Sequence, residues 1–294
     1  MPEWATFAGF AFVATAALLL LSYASSSILS GSTTREYDAE QSPPTADELG
    51  EPTSDTVHPP DDGADGETIA LPKSGVKFHP DQVQPDPEDG RDVADFSTAS
   101  LLANVAFSQG LFALLLLVGA WYAEIPAWAF GVGPLDLRVV AVGVGLGVAL
   151  YVANEAGAAV GARVGLGVGD GERLRSALAP ETRGGWVVLL LVVLPIIAGF
   201  EELLFRGALI GVVAAGYGVS PWVMAAVSSA AFALGHGAQG RLGVLVTGVL
   251  GFVLAAAFVV TGSLLAVVVA HYLINALEFV VHEGLGVEWT PEGA

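Results

Sequence analysis

Eleven residues, GFEELLFRGAL at 199–209, follow directly on the apolar run VVLLLVVLPIIA and carry Glu201, Glu202 and Arg206. A charge at the centre of a bilayer costs about 2.5–3.5 kcal/mol on insertion scales, so three beside so hydrophobic a run need a reason. Spacing separates them. Glu202 and Arg206 stand four apart, on one helical face, where they can pair. Glu201 is turned about 100° from Glu202 and is free to face something else. Further along, His236 closes AAFALGH between Gly235 and Gly237, and His271 and Asn275 project together from the last apolar segment. An unpaired glutamate, two histidines and an asparagine can activate a water and stabilise an oxyanion, the requirements of amide hydrolysis. The alternative is packing: a Glu–Arg pair that only neutralises itself, and histidines hydrogen-bonded inside a bundle. Spacing groups these residues by helix and leaves open whether the helices bring them together.

Other polar residues fall within apolar segments. Asn104, Gln109 and Asn154 read as interhelical hydrogen-bonding residues, while Glu155 and Glu278 have no assigned role, although Glu278 lies on the face of His271 seven residues on. The segments that must position all of these are helices near 99–122, 138–163, 186–215, 220–237, 242–261 and 263–282. They are long enough to cross a hydrocarbon core of about 30 Å. Residues 1–24 add a seventh. Its Trp4 and Tyr23 flanks, its Glu3 and the absence of a preceding basic residue favour a retained transmembrane anchor over a signal peptide. The fold class is therefore all-α, a polytopic transmembrane bundle of about seven helices. Four-residue spacings of glycine (143 and 147; 157, 161 and 165; 207 and 211) predict close helix packing.

Composition agrees. Of 294 residues, 53% are hydrophobic and 14% charged, and the mean hydropathy is +0.64; this excludes an ordinary soluble domain. The lack of cysteine excludes disulfides, thiolate metal sites and a cysteine nucleophile. The net charge of −19 is concentrated in residues 35–95, which hold 17 of the 30 acidic and 4 of the 11 basic residues. No basic nucleic-acid footprint is present. Residues 25–96 hold 9 of the 16 prolines and are expected to form a disordered acidic linker. The multi-helix core is 97–283, with a short acidic tail at 284–294. Abundant carboxylates with few lysines predict a halophilic source. Arg163, Arg173, Arg175 and Arg183 place the loop 163–185 in the cytoplasm by the positive-inside rule. Alternation then puts the linker and the C-terminus inside and the loop 123–137 outside, in a multi-pass protein of the cell membrane.

EELLFRG resembles the EExxxR motif of the CPBP intramembrane proteases, which include CAAX prenyl endopeptidases and bacteriocin-processing or Abi proteins. FALGH (232–236) resembles the family's FxxxH motif and HYLIN (271–275) its HxxxN motif, preceded by VVTGSLLAVVVAH. The three occur in order over roughly 186–280. The resemblance implies an intramembrane endopeptidase in which Glu201 and His236 bind and activate the attacking water. His271 and Asn275 would stabilise the oxyanion, and Glu202 and Arg206 would support the site. It implies two mechanisms. In one, Glu201, His236 and His271 ligate a divalent metal such as zinc; in the other there is no cofactor and Glu201 is the base. The absence of an HExxH spacing favours the second. The implied partners are the lipid bilayer and a membrane-tethered protein or peptide substrate, including a prenylated CAAX-type one, with no nucleic acid.

Rival intramembrane chemistries are poorly supplied. HEGLG at 282–286 lacks the second histidine of HExxH, the residues around Ser263 lack a GxSG elbow, and GVGD at 167–170 lacks a partner aspartate within a helix. Two other function classes remain: a non-catalytic scaffold or chaperone that binds a partner helix, and a transporter whose buried charges mark an ion path.

Overall fold

Long apolar runs have one way to satisfy their backbone in lipid without closing a barrel, the helix. The computed structural model describes residues 1–41, 69–70, 77–78, 97–163 and 170–287. Among these the chain forms α1 (Trp4–Gln41), α2 (Thr98–Tyr122), α3 (Leu137–Arg163) and α4 (Asp170–Leu178). The long α5 (Arg183–Tyr217) follows, then α6 (Pro221–Gly235), α7 (Gly240–Thr261) and α8 (Leu264–Gly284). Among the described residues, six segments are long and apolar enough to cross a membrane: Trp4–Tyr23 of α1, α2, α3, α5, α7 and α8. The apolar α6 has 15 residues and spans only about 22 Å. The expected all-α, polytopic membrane bundle is what forms.

The helix boundaries have local causes. Ser97, Thr182 and Ser263 cap α2, α5 and α8 by accepting from the backbone N–H groups of Ser100, Gly185 and Ala266. Pro221 opens α6 at a position where a missing N–H costs nothing. Gly218 and Gly262, at φ +66° and +64°, end α5 and α7 in the left-handed conformation. Among the described residues, three stretches bond i to i+5 instead of i to i+4: Leu189–Val193 and Leu203–Val212 within α5, and Phe279–Gly284 at the end of α8.

Small residues set the approach of α3 to α8. A Cβ on Gly143 would lie 2.6 Å from the Ala266 carbonyl oxygen, and one on Gly147 would lie 2.8 Å from that of Ala270. Gly207 and Gly211 similarly face Phe130 and Ala129, in the single turn Ala127–Phe130. Gly157 faces open space, so that part of the predicted stripe packs nothing. The ends of the bundle sort by contact. At one end Glu3 N–H donates to the Ala123 carbonyl at 2.8 Å, and Leu264 N–H to that of Gly131 at 3.0 Å. At the other, Ser22 donates to the Gly235 carbonyl at 2.7 Å, and Arg175 reaches Glu283 at 2.9 Å.

Residues 35–95 form a separate unit, in which Ile69–Ala70 pairs antiparallel with Lys77–Phe78. The α1 helix runs to Gln41, beyond the linker boundary expected at residue 25. The expected disorder of the rest of the linker falls outside the described residues, as do most of GVGD and residues 288–294 of the tail.

Candidate functional site

The site is assembled on α5 where its hydrogen bonding changes register. Glu201 and Glu202 end the regular stretch Leu194–Glu202, and Arg206 lies in the widened stretch Leu203–Val212. Such widened turns recur at functional sites. Glu202 and Arg206 are completely buried, and Arg206 Nη1 donates to Glu202 Oε1 at 2.9 Å. The expected i, i+4 pair is present. It does more than neutralise itself. Arg206 Nη2 donates to the Gly251 carbonyl on α7 at 2.8 Å, and the guanidinium lies 4.6 Å over the ring of Phe232 on α6. A Cβ on Gly251 would meet Phe232 at 2.8 Å, so glycine lets α7 come close enough to accept this bond. One guanidinium thus joins three helices.

The same Glu202 Oε1 lies 2.7 Å from His271 Nδ1 on α8. Ion-paired to Arg206, Glu202 accepts, so Nδ1 carries the proton of this bond. The ring's other nitrogen, Nε2, then faces Glu201 Oε2 at 3.7 Å. That is too long for a direct hydrogen bond and suits a bridging water. His236, at the end of α6, has its Nδ1 2.8 Å from the Phe232 carbonyl. A carbonyl only accepts, so Nδ1 donates and Nε2 is again the uncommitted atom. Phe232 links the two imidazoles, 4.5 Å from His236 between ring centroids and 6.0 Å edge-on from His271. Asn275, one turn beyond His271, is half-buried. The structure therefore places Arg206, His236 and His271 around Phe232 and joins Glu202 and Glu201 to that group through His271. The Glu202–His271 bond was not legible in the sequence, where Glu202 is assigned to Arg206 alone; nothing in the spacing indicates that one oxygen serves both.

Other expectations fall elsewhere. Glu278 does not join His271. Its Oε1 accepts from Asn154 at 2.7 Å, an interhelical bond of the kind expected for Asn154. Asn104 is exposed and does not act in this way. Among the described residues one trio of His, Asp or Glu side chains offers ligand atoms within 4.8 Å of one another: Glu155, Glu278 and His282. This Glu/Glu/His cluster can in principle coordinate a metal, whereas the expected zinc set of Glu201, His236 and His271 does not gather so closely. A groove of about 670 Å³ between α1 and α2 is lined by apolar residues such as Phe10, Phe112 and Leu116 and by no carboxylate or imidazole. It is not a water-activating site.

Residues 183–277 match a family model described as Rce1-like, type II CAAX prenyl endopeptidase Rce1-like. The matched stretch, about a third of the chain, contains Glu201, Glu202, Arg206, His236, His271 and Asn275. Over it the chain is similar to CAAX-protease-like polytopic membrane proteins. No curated protein and no solved structure matches the chain.

Proposed function

We propose that the chain is an intramembrane endopeptidase of the CPBP type, in which Glu201 is the general base. The observation that carries this is the buried Glu202–His271 bond of 2.7 Å, which commits Nδ1 and turns Nε2 toward Glu201 at 3.7 Å. A catalytic imidazole needs a fixed orientation of this kind, and an imidazole that only fills space does not.

Water held by Glu201 and His236 Nε2 gives a proton to Glu201 as its oxygen attacks the peptide carbonyl carbon. The Asn275 carboxamide and His271, as an imidazolium that bears a proton on Nε2 as well as on Nδ1, donate to the resulting oxyanion. Glu201 returns the proton to the amine nitrogen as the C–N bond breaks, leaving a carboxylic acid and an amine, which exchange the water's second proton to become carboxylate and ammonium. Glu202 and Arg206 hold the His271 ring and touch no substrate.

The substrate class is a peptide tethered at the membrane, a prenylated CAAX-type peptide being the first to test. The test uses the purified chain in liposomes. Glu201→Gln and His236→Ala should each lower kcat by about 10²–10⁴, with thermal unfolding midpoints unchanged and with chelator leaving wild-type cleavage intact. Wild-type kcat in Glu201→Gln would remove Glu201 as the base, and absence of cleavage by the wild-type chain itself would assign the fold to a non-catalytic scaffold.

A further inference from the structure

The second cluster uses none of the residues of the first. Glu155 on α3 is buried, at 8% exposure. Glu278, His282 and Glu283 sit at the end of α8, and Arg175 approaches from α4, each side chain between 14% and 18% exposed. His282 Nε2 lies 3.0 Å from Glu155 Oε1 and 3.7 Å from Glu278 Oε2. Arg175 donates to Glu278 Oε2 at 3.2 Å and to Glu283 Oε1 at 2.9 Å. Ser176 adds a bond to Glu283 Oε1 at 3.2 Å. The i to i+5 bonding of Phe279–Gly284 widens this turn, so that Glu283 meets Arg175 beside Glu278. On α8, Glu278 is seven residues past His271, about 10 Å along the axis.

Charge and donor type point to a ligand. Three carboxylates meet one arginine here, and Glu172, the next acidic neighbour of Arg175, adds another carboxylate at 3.9 Å. With these carboxylates ionised, the cluster carries at least two negative charges around one imidazole, in a partly buried place where unpaired charge is costly. A protonated His282 would offset only one of them. A divalent cation among His282 Nε2, Glu155 and Glu278 offsets both. Ligand bonds of about 2.0–2.2 Å in a tetrahedron put neighbouring donor atoms about 3.3–3.6 Å apart, between the 3.0 Å and 3.7 Å seen. One imidazole nitrogen with two carboxylate oxygens suits zinc and its neighbours, whereas calcium and magnesium prefer oxygen throughout. Asn154 on Glu278 Oε1 and Arg175 on Oε2 orient the carboxylate as outer partners of metal sites do.

We propose that Glu155, Glu278 and His282 form a binding site for a divalent transition cation of the zinc class. The cation pins α3 to the end of α8, and Arg175 extends the clamp to α4. This is independent of the peptidase reading.

The test takes full-length protein, purified in detergent and stripped with chelator, and titrates ZnCl₂ by calorimetry with metal analysis of the washed protein. Wild type should retain one equivalent and unfold at a higher temperature with zinc. Glu201→Gln/His236→Ala should retain that equivalent, and His282→Ala should lose both the zinc and the shift in unfolding. Where His282→Ala does not fold, the near-isosteric Glu155→Gln decides in its place, with zinc lost and the fold kept. Zinc that follows Glu201 and His236 overturns the proposal. So does the absence of zinc from wild type, which would leave an ion-pair clamp, or an equal response to MgCl₂.

Discussion

At the scale of residues, adjacent glutamates of the same type do different work because of what each touches. Glu202 is wholly buried between Arg206 Nη1 at 2.9 Å and His271 Nδ1 at 2.7 Å, while Glu201 faces His271 across 3.7 Å. Glu202→Gln strands the buried Arg206 charge, so the protein should lose about 3–5 kcal/mol of stability. Released from its carboxylate, His271 should also turn, lowering kcat with little change in KM. Glu201→Gln should lower kcat by about 10²–10⁴ and leave the unfolding midpoint where it was. Thermal unfolding and steady-state kinetics on the two variants separate the roles; equal loss of stability in both would place Glu201 in the structural pair. The candidate residues were legible because ionisable groups are rare in apolar segments and each one demands a reason. Their pairing was legible only within a helix. Glu202 with His271, and Glu155 with His282, are contacts between helices 69 and 127 residues apart in sequence, and no local spacing encodes them.

At the scale of elements, the apolar runs mark their own ends. Caps at Ser97, Thr182 and Ser263 and stops at Gly218 and Gly262 are short-range chemistry, and the predicted helices agree with them to within a few residues. The widened stretches at Leu203–Val212 and Phe279–Gly284 carry no such mark. Hydrophobicity is nearly uniform around these helices, so a change of register leaves no trace in its pattern. Glycine carries more information. Gly143 and Gly147 let α3 lie against the carbonyls of α8, with no room for a Cβ. Gly147→Ala should therefore cost about 1–3 kcal/mol by overpacking and displace the helix that bears His271. Gly145→Ala, in open space on the same helix, should be neutral or slightly stabilising. Unfolding midpoints in detergent compare the pair, and equal behaviour would mean that α3 and α8 are not held at this distance.

At the scale of the whole molecule, the contacts between connections constrain how the chain threads the membrane. The start of α1, the loop around Gly131 and the start of α8 meet at one end. The end of α6 meets α1 near Ser22, and α4 meets the end of α8. We propose that a chain alternating direction in this way uses the short α6 as a crossing, making seven. Which end faces the cytoplasm is a matter of charge. Arg163, Arg173, Arg175 and Arg183 cluster on the connection that contains α4, and we propose on the positive-inside rule that this end, with the linker and the C-terminus, is cytoplasmic. The chain has no cysteine of its own, so single cysteines report without background. Ala177→Cys on α4 and Gly133→Cys on the opposite loop are both exposed positions. A membrane-impermeant maleimide should label Gly133→Cys in intact cells and Ala177→Cys only after permeabilisation. The reverse pattern would invert the molecule, and labelling of both from one side would remove α3 from the count of crossings.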